Sequence, residues 1–186
     1  GHGWNPFAAS NLDLFGAELS WYSSYDHDVD ALDFKRAVSF RKPIVFLLNE
    51  GLNDKAFTEA PYFGYEVYFE KMMAYGFFPS FFSVDASNDP YWQDKQKIEN
   101  GRPFFKKYIP LIKEISAAGW EPVTLARSGS EGIRIERFGR GDRIFFTIRN
   151  NSDRDTDCNV KVDAGKLGIK DKYAAREMTG GNTVEI

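Results

Sequence analysis

The chain has 186 residues, 42% hydrophobic and 16% aromatic, enough core material for one sizeable domain or one and a half small ones. Its 24 basic and 27 acidic residues leave a net charge of -3 with no visibly basic face, which argues against nucleic acid as a partner. No apolar run approaches the roughly 18 residues that cross a bilayer, so no membrane partner is expected, and Gly1 to Pro6 lacks the basic and apolar regions of a signal peptide. A lone cysteine, Cys158, excludes an internal disulfide and a multi-cysteine metal site. It fits a reducing compartment or an exported bacterial protein without bridges, so the compartment stays open.

Leu12 to Leu19 (LDLFGAEL) is an apolar run closing on Glu18, followed by the polar aromatic loop from Ser20 to Asp28. A run without polar alternation suits a strand covered on both faces, as in parallel sheets. Asp30 to Phe40 then reads as a helix, with Ala31, Phe34, Ala37 and Val38 at helical spacing. Asp26, His27 and Asp28 sit just before it. Adjacent residues rarely aim at one ion, so a solvated acidic loop capping this helix is the better reading and no metal is expected.

Lys42 to Glu50 (KPIVFLLNE) is the strongest run of all, and it ends abruptly in an amide and a carboxylate. Asn49 and Glu50 suit hydrogen bonding to a ligand, or equally a turn with Gly51. Tyr65 to Tyr75 is helical, with Val67, Phe69, Met72 and Met73 near one face. Phe77 to Val84 (FFPSFFSV) is a third run, closing on Ser83 and Asp85. After Gly101-Arg102-Pro103, the stretch from Pro103 to Ala118 carries Phe104, Phe105, Tyr108, Leu111, Ile112 and Ile115 and ends at Gly119, a C-cap. Pro110 predicts a kink there, or two shorter helices. The methionines and aromatics of these helices read as core, and no cofactor is expected.

The series is three βα units. Past Trp120 the pattern changes to short alternating segments, Gly132 to Phe138, Arg143 to Asn150 and Asp157 to Asp163, which predict an antiparallel β-domain beginning after Arg127 to Ser130. Gly139-Arg140-Gly141-Asp142 joins two of these strands, so it reads as a hairpin turn and not as a phosphate loop.

Several segments together resemble the last third of glycoside-hydrolase-like (β/α)8 barrels with an appended C-terminal β-sandwich. They are the strand ending in Asn49-Glu50, Ala74 to Ser83, Arg102 to Leu111, Ala118 to Val123, and the two later strand segments Ile133 to Gly139 and Phe146 to Asn150. The resemblance implies an α/β fold with a partial TIM-type barrel segment of three βα units in residues 1–127 and a truncated antiparallel β-sandwich-like domain in residues 131–186. A barrel takes eight such units, so the expectation is a C-terminal portion whose partner is the missing N-terminal part of the same protein. An independent small α/β sheet is the alternative, and it would need another cover for its edges.

The implied function is carbohydrate-active hydrolysis by carboxylates at barrel strand ends, with a carbohydrate ligand. Glu18 and Asp85 are the catalytic candidates; Trp21, His27, Asn49, Glu50 and Trp92 are the substrate-binding candidates. Such enzymes pair two carboxyl groups, about 5 to 5.5 Å apart when retaining and about 6.5 to 9.5 Å when inverting. Trp21, Tyr22, Tyr91 and Trp92 would stack on the apolar faces of sugar rings. Against this stand strand-end ion pairing for Glu18 and helix or turn capping for Asp85. A non-catalytic glycan-binding or structural protein on the same fold is the rival reading.

Overall fold

The computed structural model describes residues 11–19, 27–48, 65–81, 95–170 and 173–180. The three apolar runs form strands β1 (Phe15–Leu19), β2 (Ile44–Leu48) and β3 (Phe78–Phe81), paired in parallel in the order β1-β2-β3. Each is followed by a helix: α1 (His27–Ser39), α2 (Tyr65–Tyr75) and α3 (Lys95–Ala118). Continuous apolar sequence thus yields the expected parallel strands. The described residues form a mixed α/β fold with no closed barrel.

The two faces of this sheet differ. Phe15, Ala17, Ile44 and Phe46 point into a core completed by Leu32 of α1, Phe69, Met72 and Tyr75 of α2, and Tyr108 and Ile112 of α3. Aromatic rings knit it together: Phe46 stacks on Phe77 at 5.9 Å, and Phe69 meets Phe105 edge-on at 4.8 Å. On the alternate positions, Gly16 is exposed and Val45, Leu47, Phe78 and Ser80 are only half-buried. A Cβ built on Gly16 meets nothing within 4 Å. Among the described residues, therefore, one face is packed against helices and no element is packed on the other.

Tyr68 closes a gap between β2 and β3. Pro79 has no N–H to give to the ladder, and the buried Tyr68 hydroxyl enters beside it, accepting from the Ser80 N–H at 3.1 Å and lying 2.8 Å from the Phe46 carbonyl, to which it donates. Burial pushes this phenol well above its ordinary pKa, so it remains a donor at all working pH. Tyr68→Phe keeps the ring but strands two backbone groups. It is expected to cost about 1–3 kcal/mol in a urea titration; a loss within the error of the titration would show that the hydroxyl bridge is dispensable.

Helix α2 ends in a Schellman motif: the Phe77 N–H reaches the Met72 carbonyl at 2.8 Å and the Gly76 N–H reaches that of Met73 at 2.9 Å. Gly76 has φ +66°, and a Cβ there would lie 2.6 Å from the Phe138 ring, so glycine is required twice over.

The later sequence forms β4 (Trp120–Glu121), β5 (Ala126–Ser128), β6 (Ile133–Phe138), β7 (Phe145–Asn150), β8 (Val160–Val162) and the short helix α4 (Ala164–Leu167). They make two small antiparallel sheets, β4-β6-β7 and β5-β8. Antiparallel pairing begins at Trp120, opposite Phe138. The predicted hairpin turn at Gly139 to Asp142 does connect β6 to β7.

Three expectations are corrected. Helix α1 starts at His27, so His27 and Asp28 lie in its first turn and not in a capping loop. Its buried stripe is Leu32, Lys35, Arg36 and Ser39, while Phe34 is exposed, because Arg36 is drawn inward by backbone acceptors. Helix α3 is continuous from Lys95 through Gly101, Pro103 and Pro110. Both prolines are exposed, so the carbonyls they leave without a helical partner can be solvated. Its end at Gly119 is as predicted, with the Gly119 N–H reaching Ser116 and Ile115 carbonyls at 3.1 and 3.2 Å.

Candidate functional site

Parallel pairing sends the carboxyl ends of β1, β2 and β3 to one edge of the sheet, the edge on which α/β proteins place their chemistry. Glu18 is the penultimate residue of β1, in register with Leu47 and through it with Ser80. Its side chain lies outside what is described, as does that of His27, the first residue of α1. Trp21, Asn49, Glu50, Asp85 and Trp92 lie outside the described residues; Asn49 and Glu50 follow directly on β2 in sequence.

The opposite edge holds the best-defined polar structure. At the end of α1, Phe40 takes a left-handed conformation, φ 53°, with its N–H bonded to the Arg36 carbonyl at 2.9 Å. The Arg36 guanidinium turns back onto the same loop. It donates to the carbonyls of Phe40 at 2.6 Å, Lys42 at 2.8 Å and Tyr75 at 3.2 Å, and to Ser39 Oγ at 2.8 Å. It also lies 5.2 Å from the Phe77 ring centroid and 5.9 Å from that of Trp120. Burial lowers its pKa to about 10, opposed by Glu136, which leaves it charged at neutral pH.

These contacts fasten the antiparallel sheets to the amino-terminal edge and to the helices. Arg134 bonds Asp33 at 3.0 Å and lies 4.7 Å from the Tyr75 ring centroid, and the Trp120 indole N–H donates to Glu136 at 2.7 Å. Thr147 donates to the Ala74 carbonyl at 2.7 Å. Conserving shape here is a matter of stability, by the same rule that puts chemistry at the other edge.

A second polar centre surrounds Glu121, almost fully buried in β4. Arg140 grips its carboxylate with a two-pronged fork, Nε to Oε1 at 2.6 Å and Nη2 to Oε2 at 2.7 Å. Arg41 bonds Oε1 from the α1–β2 loop, and Arg137 approaches Oε2 at 3.5 Å while donating Nε to the Val123 carbonyl at 2.9 Å. A cleft of about 410 Å³ opens beside them, bounded also by Val123, Leu125, Ile144, Lys166 and Leu167. The sequence reading missed this centre, in which Arg41 lies 80 residues from the Glu121 it bonds. Its only local signal was an arginine between two glycines in a hairpin turn.

Among the described residues no group of histidine, cysteine or carboxylate side chains is placed to hold a metal ion, and no helix is long and apolar enough to cross a membrane. No protein-family model matches the chain, and no curated protein or solved structure is significantly similar to it.

Proposed function

We propose that the chain is the C-terminal portion of a carbohydrate-active hydrolase: the last three βα units of a TIM-type barrel with an antiparallel domain behind it. The observation that supports the reading is a parallel sheet with one face on which no described element packs, and with Glu18 one residue from the end of β1. Parallel sheets are covered on both faces, and here Val45 and Leu47 are apolar yet only half-buried. In a barrel those positions face the interior, where the other strands cover them. The sequential order β1-β2-β3 supports the same reading, because right-handed crossovers advancing in one direction put every helix on one face.

The chemistry follows from the placement. A carboxyl group at the interior end of a barrel strand is partly desolvated, which favours its protonated form and suits it to protonate a glycosidic oxygen. Asp85, or a carboxylate on a strand outside this chain, supplies the second group of the pair. Trp21 and Trp92 offer stacking surfaces, and His27, Asn49 and Glu50 offer hydrogen bonds to hydroxyls.

The test is release of reducing ends by the complete protein from a panel of oligosaccharides and polysaccharides. Hydrolysis of at least one is expected. Saturable glycan binding with no hydrolysis of any bound sugar would replace the hydrolase by a glycan-binding protein; neither binding nor hydrolysis would remove both.

A further inference from the structure

The Glu121 centre carries more positive charge than it neutralises. Three guanidinium groups, Arg41, Arg137 and Arg140, converge on one carboxylate whose oxygens already receive all of them. The crowding has an electrostatic signature: Arg137 is held below its usual pKa by burial and then by the charges of Arg140 and Arg41. An added anion relieves that repulsion. Donors remain for it as well. Arg140 directs Nε and Nη2 to Glu121, which leaves Nη1 on a largely exposed side chain, and Lys166 stands on the rim with its ammonium 3.2 Å from Asp163.

The cleft adjoining these cations has an apolar wall. Its volume, about 410 Å³, falls within the roughly 300–1,000 Å³ of small-molecule sites, and Val123, Leu125, Ile144 and Leu167 line it together with the charged groups. Leu125 is held at φ 55°, in the left-handed region, and its carbonyl accepts the Asp163 N–H at 2.8 Å. A non-glycine residue in that conformation is strained, and such strain recurs at ligand clamps. Here it joins the segment after β4 to the start of α4, and both segments contribute residues to the cleft's lining.

We propose that this cleft binds an organic carboxylate, with its charged end at Arg137, Arg140 and Lys166 and its apolar body against Val123, Leu125, Ile144 and Leu167. Arginine forks match carboxylate geometry, as Arg140 already shows with Glu121. An inorganic anion would leave the apolar wall wet. The carboxylate can belong to a free acid or to the C-terminus of a peptide, since both present the same group.

Calorimetric titration at constant ionic strength separates these cases. Phenylacetate, acetyl-leucyl-phenylalanine and phenylacetamide serve as probes against the full chain. Saturable binding of one or both acids is expected, with the tighter one identifying the source. Phenylacetamide should bind about tenfold more weakly than phenylacetate or not at all. Arg140→Gln should weaken acid binding about tenfold, and Lys166→Gln, which leaves the Glu121 clasp intact, by about fivefold. Lys161→Gln, in β8 and outside the cleft, should change nothing. The proposal is overturned by absence of saturable acid binding up to roughly 10 mM, by equal binding of the amide, or by unaltered affinity in the Lys166→Gln variant.

Discussion

Arg36→Ala is expected to lower the unfolding free energy by on the order of 4 kcal/mol. The side chain is 3% exposed and donates to the carbonyls of Phe40, Lys42 and Tyr75. Removing it leaves the Tyr75 carbonyl, whose bond is buried, without a partner, and strips the part-buried carbonyls of Phe40 and Lys42 of a charged donor. It also releases the left-handed Phe40 turn, whose carbonyl the guanidinium holds, and the stacking with Phe77 and Trp120. Lysine is no substitute, because one ammonium lacks the planar spread of donors that reaches both the Tyr75 and the Lys42 carbonyls. Urea or guanidinium titration of both variants checks this. Arg36→Lys should recover less than half of the loss, and a loss below about 1 kcal/mol in Arg36→Ala would show that the loop is held by other contacts.

The same residue shows where sequence reading stops. The parallel strands were legible because a strand with apolar residues on both faces writes itself as an uninterrupted apolar run, and Ile44 to Leu48 allows no other simple reading. The face of α1 was not. Helical spacing marks Phe34 and Ala37 as inward, but Phe34 is 52% exposed and Arg36 is inside. What draws Arg36 in is a set of carbonyls, one of them 39 residues away, and backbone acceptors leave no trace in a hydrophobicity pattern. Pro110 misled for a related reason: its position suggested a break, while an exposed proline on a helix otherwise anchored by Tyr108, Ile112 and Ile115 does not stop it. Strands of two or three residues, such as β4 and β5, are too short for alternation to register. Of the candidate site, Glu18 was legible as the polar end of an apolar run, and its register with Leu47 and Ser80 follows from the strands. The Glu121 centre was not, since charge clusters assembled from β4, the β6–β7 turn and the α1–β2 loop exist only in the folded chain.

Glu18→Gln bears on the proposed chemistry with the largest effect of all. The substitution keeps size and shape and removes both the transferable proton and the charge, so a general acid or nucleophile at this position loses its function while the strand keeps its packing. Steady-state hydrolysis by the complete protein, on a glycan that the parent cleaves, is the measurement that decides. A loss of turnover on the order of 10²-fold or more is expected, with an unchanged unfolding midpoint. Near-normal turnover by Glu18→Gln would contradict it, leaving Glu18 a structural residue and the sheet's carboxyl edge without its proposed acid.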